Sequence, residues 1–220
     1  MAQGYVRSSD LPQVIPVFPL PGAIILPRGQ LPLNIFEPRY LNMVDDAMAG
    51  DRVIGMIQTV GPMGEHPPLV RVGCAGRITS FAETSDGRYL ITLTGIARFR
   101  IANEIQVKTP YRQVRADFDP YAEDLDGPEV FESLDRERFL GALSPYLAMR
   151  GLDIDWNAAK AAPAEALINS LSMGLPFEPA EKQALVEATD LRDRCEVLTA
   201  LLQIDGAGGS PDEDVPPRVQ

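Results

Sequence analysis

The side chains best suited to chemistry by type are few, and their spacing limits what they can do. Glu37-Pro38-Arg39-Tyr40 closes the apolar run LPLNIF with a carboxylate, a guanidinium and a phenol in four positions. Such a set could serve acid–base work if a base or a metal joined it. His66, in GEHPP, is the only histidine, so neither a histidine-based metal site nor a Ser-His-Asp triad can be assembled within the chain. The three lysines, Lys108, Lys160 and Lys182, follow Val107, Ala159 and Glu181. None completes the Gly-Lys-Ser/Thr loop that cradles nucleotide phosphates. A Ser-Lys dyad needs a dry lysine, whereas Lys160 and Lys182 fall in polar helical stretches and Lys108 at a loop edge. Asp45-Asp46 and Asp153-Ile154-Asp155 pair carboxylates, but on a helix face or in a loop, where charges are ordinarily hydrated. The expected complement is therefore no catalytic residue, no metal and no cofactor.

Two further sets suit binding. Arg98, Arg100, Arg112 and Arg115 fall on the outward face of two strands and could hold RNA, yet no aromatic residues interleave with them, which favours a solvated wall. In PGAIILPRGQL, prolines stiffen a loop that carries Ile24, Ile25, Leu26 and Leu31. Exposed, these four are candidate contacts for a polypeptide. Buried, they are plugs of the sheet, and their solvent exposure decides between the two readings. Cys74, amid apolar alternation, reads as a packed small hydrophobe, and Cys195 is too distant in sequence to suggest a disulfide framework.

The elements that position these residues follow from periodicity. Residues 14–36 alternate short apolar runs with prolines, which predicts one or two short strands joined by a stiff loop. Tyr40, Leu41, Val44, Ala47 and Met48 share a helical stripe over 38–49, with Pro38 at the tolerated first position and Gly50 as the stop. VIGMIQ at 53–58 reads as a strand buried on both faces. ITSFAET and RYLITLTG flank Asp86-Gly87, a favoured two-residue hairpin turn. Gly95 then interrupts, IARFRI resumes, and RQVRADF turns Val114, Ala116 and Phe118 inward. Five or six short strands with one small helix imply a closed or half-closed β-barrel rather than a βαβ sheet.

Beyond it the pattern is helical. Phe131, Leu134, Phe139, Leu140, Leu143 and Leu147 trace a face interrupted near Pro145. Ala164–Met173, a segment opening at Glu178-Pro179, and one capped by Asp190 complete four helices, or three with a broken first, and Trp156 seats the first connection. The expected organisation is a flexible leader at 1–11, a barrel lobe at 12–118, an acidic linker at 119–129, a helical bundle at 130–204 and a disordered tail at 205–220. Charge divides at the same place. Residues 1–118 carry 12 Lys+Arg against 10 Asp+Glu, and residues 119–220 carry 8 against 21. The overall charge of −11 disfavours nucleic acid and anionic membranes as partners. MAQGYVRSSDLPQ lacks the basic start and apolar core of a secretory signal, and no apolar run approaches a membrane span. A cytoplasmic protein is expected.

The order IPVFPLPGAIILPRGQLPLNIFEPRYLNM, GCAGRITSF, an Asp-Gly hairpin, LTGIARFRI and EKQALVEATDLRDRCEVLTALL resembles the N-terminal substrate-binding domain of the Lon protease family over about residues 12–204. The resemblance implies an α+β chain, a PUA-like mixed β-barrel with one short helix followed by a C-terminal α-helical bundle, and a stand-alone member without ATPase or peptidase domains. It also implies a non-catalytic module that binds exposed or unfolded polypeptide, or serves as an adaptor to a protease or chaperone in protein quality control. RNA or nucleotide binding through the barrel is the alternative, and peptidase activity a third. Phe36, Glu37, Pro38, Arg39 and Tyr40 then become a family signature and a structural joint. In that role Ile35 and Phe36 finish a buried strand, Arg39 and Tyr40 tie the helix to the barrel, and loss of Glu37 lowers stability.

Overall fold

The alternation of apolar and polar residues in the first half, broken by proline and glycine, builds four short strands and two long ones. The computed structural model describes residues 4–61, 66–128 and 134–207, with side chains described to 204. Its strands are β1 (Val14–Pro19), β2 (Gln30–Ile35), β3 (Val53–Ile57), β4 (Val72–Glu83), β5 (Tyr89–Ile105) and β6 (Arg112–Asp117), with helix α1 (Pro38–Ala49) between β2 and β3. They form one mixed sheet in the order β2-β5-β4-β3-β1-β6, and β6 pairs a second time with the far half of β5. Only β1 and β3 run parallel. Every residue of β3 is buried, as its unbroken apolar run implies.

Gly95 does not end a strand. β5 passes through it without a break, and its backbone instead receives the proline-rich loop: Arg28 N–H donates to Gly95 O (2.9 Å) and Gly95 N–H to Gly29 O (2.8 Å). A Cβ at Gly95 would stand 2.0 Å from Leu26 O, so the crossing requires glycine. The β4–β5 connection is also longer than the two-residue turn expected. It spans Thr84 to Arg88, closed by Thr84 N–H to Arg88 O (2.9 Å), with Gly87 at φ 79°.

After a 3-10 turn at Asp119–Leu125 come five helices, α2 (Arg136–Arg150), α3 (Trp156–Ala161), α4 (Ala164–Gly174), α5 (Pro179–Glu187) and α6 (Leu191–Ala207), around one apolar cluster that includes Phe139, Tyr146, Ile168, Leu185 and Leu198. α2 continues through Pro145, where an interruption is expected. An interior proline costs about 3 kcal/mol, but Leu143, Tyr146 and Leu147 on both sides of it are buried in the cluster and hold the helix together. Trp156 opens the short α3 and packs half-buried against the same cluster. Asp190 accepts from Asp193 N–H (2.8 Å), the capping bond expected at the start of α6. Residues 1–3 of the leader, Glu129 of the linker, Phe131 and the tail from 208 onward lie outside the described residues. Among the described residues, no helix is long and apolar enough to cross a membrane.

The strands and the C-terminal helices meet over a buried polar junction. Arg98 alternates outward from the sheet as expected, yet it is 3% exposed because the helices cover that face. It pairs with Asp124 (Nη2 to Oδ1, 2.8 Å), donates to the carbonyls of Val186, Ala188 and Thr189, and stacks over Tyr121. The solvated-arginine reading is therefore corrected for Arg98. Arg28 pairs with Glu165, Asn169 donates to Pro27 O (3.3 Å), and Gln58 reaches Pro179 O (2.9 Å). The proline-rich loop lies beneath this junction. Ile24, Ile25 and Leu26 are 4%, 1% and 0% exposed, and Leu31 is half-buried. The polypeptide-contact reading of Ile24, Ile25 and Leu26 is overturned, since side chains packed against Val72, Val186 and the sheet core present no surface to a ligand. No groove opens between sheet and helices at this loop either, where the cavity holds only about 10 Å³.

Candidate functional site

The described surface does hold a groove, at the end of the sheet where β1, the start of α1 and the β5–β6 connection converge. It encloses about 630 Å³, within the range of ligand-sized clefts. Its lining includes Pro19, Tyr40, Pro67, Ile105, Val107, Pro110 and Tyr111, together with Arg39, His66, Glu104 and Arg112.

Each wall is placed by a local rule. Pro38 starts α1 with φ preset for the first turn, and Tyr40 follows on the buried face of that helix. There its ring meets Phe18 with centroids 4.3 Å apart. Burial raises the Tyr40 phenol above its ordinary pKa. Tyr111, just ahead of β6, anchors the opposite side: its hydroxyl donates to Asp46 Oδ2 (2.6 Å). Burial, reinforced by that bond to a carboxylate, pushes its pKa up to about 12. Arg112 then ties the end of β5 and the loop at Pro67 to the start of β6. It grips Glu104 bidentately (2.7 Å each) and donates to Pro67 O (2.7 Å). The Arg112 bond holds the Glu104 carboxyl below its ordinary pKa. Both tyrosines therefore stay protonated at neutral pH, and Glu104 and Arg112 are paired with each other.

The Glu37–Tyr40 signature lies at this groove, with one correction. Ile35 is buried and ends β2 as expected, but Phe36 is 63% exposed and does not finish a buried strand. Phe36 instead lies on the surface directly before α1, because the helix turns the chain away at that point. Tyr40 does tie α1 to the sheet. Arg39 stays outside, paired with Glu37 (2.8 Å) and lying over the Tyr40 ring at 4.6 Å. Glu37 makes no side-chain cap bond, so its expected contribution to stability shrinks to that of a surface pair. Glu37→Ala should change the free energy of unfolding by about 0.5 kcal/mol or less; a urea-unfolding shift above about 1.5 kcal/mol would show a hidden structural role.

Chemically the arrangement suits binding. Tyr111, Glu104 and Arg112 are engaged in structural bonds, and among the described residues no group of three His, Cys, Asp or Glu side chains could hold a metal ion. Apolar side chains do reach solvent nearby: Val107 is 39% exposed and Val60, next to the groove residue Thr59, is 54% exposed. Val107, Pro110 and Tyr111 were not singled out from the sequence. The available signal was an apolar valine inside the polar turn NEIQVKTPYR, where a solvated connection has no use for one. Arg100 and Arg115 are exposed, as expected of a solvated wall.

Comparison with known proteins bears on family and fold. The family described as the ATP-dependent protease La (LON) substrate-binding domain matches residues 14–203. The chain is 28% identical over 208 residues to Lon protease 2 of Myxococcus xanthus, covering 90% of this chain and 24% of that protein. It is 26% identical over 203 residues to the Lon protease of Syntrophus aciditrophicus, covering 87% and 25%. It thus spans about a quarter of the length of these curated relatives. Among solved structures, the Lon N-terminal domain protein from Xanthomonas campestris aligns with a TM-score of 0.58 and 24% identity, over 85% of this chain and 97% of that one. The N-terminal domain of Mycobacterium avium complex Lon protease aligns with the same TM-score at 18% identity, over 86% and 97%.

Proposed function

The chain belongs to the Lon substrate-binding domain family, and from that premise we propose that it recognises exposed, extended polypeptide segments without cutting them, in the groove between Tyr40 and Val107. The observation that carries this reading is the groove itself, a cleft of about 630 Å³ whose lining combines two tyrosines, three prolines, Ile105 and Val107 with polar and charged side chains. Rigid aromatic and proline walls suit an extended chain, because they offer contact area at little cost in ordering. In this reading the chain presents clients to a protease or chaperone as an adaptor. The return pairing of β6 with β5 supports a PUA-like barrel, and the shared apolar cluster of α2–α6 supports a helical bundle as the second lobe.

The RNA reading loses its main support. Arg98 is buried against Asp124 and Arg112 is engaged by Glu104, which leaves too few of the aligned arginines to track a phosphate backbone. The polypeptide reading is tested by anisotropy with a fluorescein-labelled, uncharged, unstructured peptide rich in valine. Val107→Asp should weaken binding about tenfold or more, equivalent to roughly 1.4 kcal/mol, at an unchanged unfolding midpoint, since Val107 already meets solvent. Equal affinity in the two proteins would remove the groove as the site.

A further inference from the structure

Among the described residues, the outer edge of β2 has no strand paired to it. β2 pairs, among the described residues, only with β5, and its backbone orientation follows from the bonds at its start. Gly95 N–H donates to Gly29 O (2.8 Å) and Arg28 N–H to Gly95 O (2.9 Å), with Arg28 at φ 66°, a bulge that makes Gly29–Gly95 the hydrogen-bonded pair. Antiparallel pairs alternate, so Leu31–Leu93, Leu33–Ile91 and Ile35–Tyr89 are the bonded pairs of the ladder. The backbone of Gln30, Pro32 and Asn34 therefore faces away from β5. A second bond agrees: Thr79 Oγ1, on β4, donates to Thr92 O (3.2 Å), so the backbone of Thr92 faces β4 and not its β2 partner Pro32. The free edge offers the N–H of Gln30 and of Asn34 and three carbonyls. Pro32 turns its donorless nitrogen outward, where proline is tolerated.

Natural edges are usually blunted by charged side chains, proline or bulges; β2 has Pro32 and the bulge at its entry, and both leave the N–H of Asn34 facing outward. β2, QLPLNI, contains no charged residue. The sheet face behind it is equally uncharged for two rows, Pro32–Thr92–Ser80 and Asn34–Leu90–Ala82; charge resumes at Arg77, opposite Thr94. The strand leads directly into exposed Phe36 and then into Arg39 and Tyr40 at the groove.

We infer that the polypeptide docks as an added β-strand on the free edge of β2, its backbone bonded to Gln30, Pro32 and Asn34 and its chain continuing past Phe36 to the groove. This rests on the polypeptide-binding reading and assigns it a second, separable contact. The occupant is a foreign, extended, uncharged segment and not a second copy of this chain. Six residues by three strands make a face of roughly 14 by 20 Å, about 280 Å², a third of the roughly 800 Å² per partner that a stable dimer buries. A two-fold pairing centred on β2 would also set Pro32 against Pro32, neither with a hydrogen to give. A foreign strand chooses its own residue to donate to Pro32 O.

The test uses the whole chain and the same labelled peptide, with Asn34→Pro beside Val107→Asp. Asn34→Pro removes an outward N–H and should lower affinity about tenfold while the unfolding midpoint holds. If that variant folds poorly, the wild-type protein is titrated with two peptides N-methylated on alternate amides. One methylation phase should abolish binding and the other preserve it. Unchanged affinity for Asn34→Pro, or equal binding of both methylated peptides with the unmethylated one, overturns strand addition. If Val107→Asp still weakens binding in that case, the groove stands without the edge. Absence of wild-type binding overturns both.

Discussion

Arg98→Ala is expected to lower the free energy of unfolding by about 3–5 kcal/mol, measured as a shift in the urea midpoint at constant slope. The guanidinium is enclosed between sheet and helices, and all its bonds are made there. Nε and Nη2 hold the two oxygens of Asp124 (2.9 and 2.8 Å), whose Oδ2 also receives the Arg98 backbone N–H (2.8 Å). Nη1 donates to Val186 O (3.3 Å) and Ala188 O, and Nη2 to Thr189 O (3.4 Å), carbonyls at the C-terminal end of α5. A cation there also offsets the negative end of that helix. Alanine would leave a carboxylate that is 5% exposed without its counter-charge, and three carbonyls without donors. Arg98→Lys should recover little, because one ammonium cannot reproduce a planar fork. A shift below about 1 kcal/mol for Arg98→Ala would show that water enters the junction and that sheet and helices are not locked together by it.

Gly95→Ala should cost about 3 kcal/mol, at the upper end of ordinary overpacking. The new Cβ would lie 2.0 Å from Leu26 O, 2.7 Å from its carbonyl carbon and 3.2 Å from Pro27 Cα, all backbone atoms with no rotamer to escape into. Relief requires lifting the loop that carries Ile24, Ile25 and Leu26 and, through Arg28, the contact with Glu165. Gly141→Ala, where nothing lies within 4 Å, is the matched control and should not destabilise, since alanine is the better helix former in α2. A Gly95→Ala protein as stable as its parent would mean that the loop does not cross β5 at this point.

Much of this architecture was legible in period and punctuation. Tyr89, Ile91 and Leu93 share the inner face, Val114, Ala116 and Phe118 point inward, Pro38 opens α1 and Gly50 ends it. A period-two pattern reports only which side of its own sheet a residue takes. Arg98 does point outward, but the pattern carries no information that α5 and Asp124 close over that side. The same blindness misread Ile24–Leu26: an apolar loop stiffened by prolines looks alike whether solvent or another element lies above it. Phe36 failed in the opposite direction, since an apolar run extrapolates past the residue at which the chain turns into α1. The groove was half legible. Tyr40 and Arg39 stood in the signature, whereas Tyr111 and Val107 join them through pairings between distant strands that no local pattern encodes.

The central claim is that extended polypeptide binds in the groove where β1, α1 and the β5–β6 connection meet and along the free edge of β2. An amide chemical-shift titration of the ¹⁵N-labelled chain with the uncharged valine-rich peptide tests it most directly. The account predicts saturable shifts concentrated at 30–40, 59–60 and 104–112, with α2–α6 unmoved. Shifts confined to α2–α6, or none at peptide concentrations approaching millimolar, would contradict it.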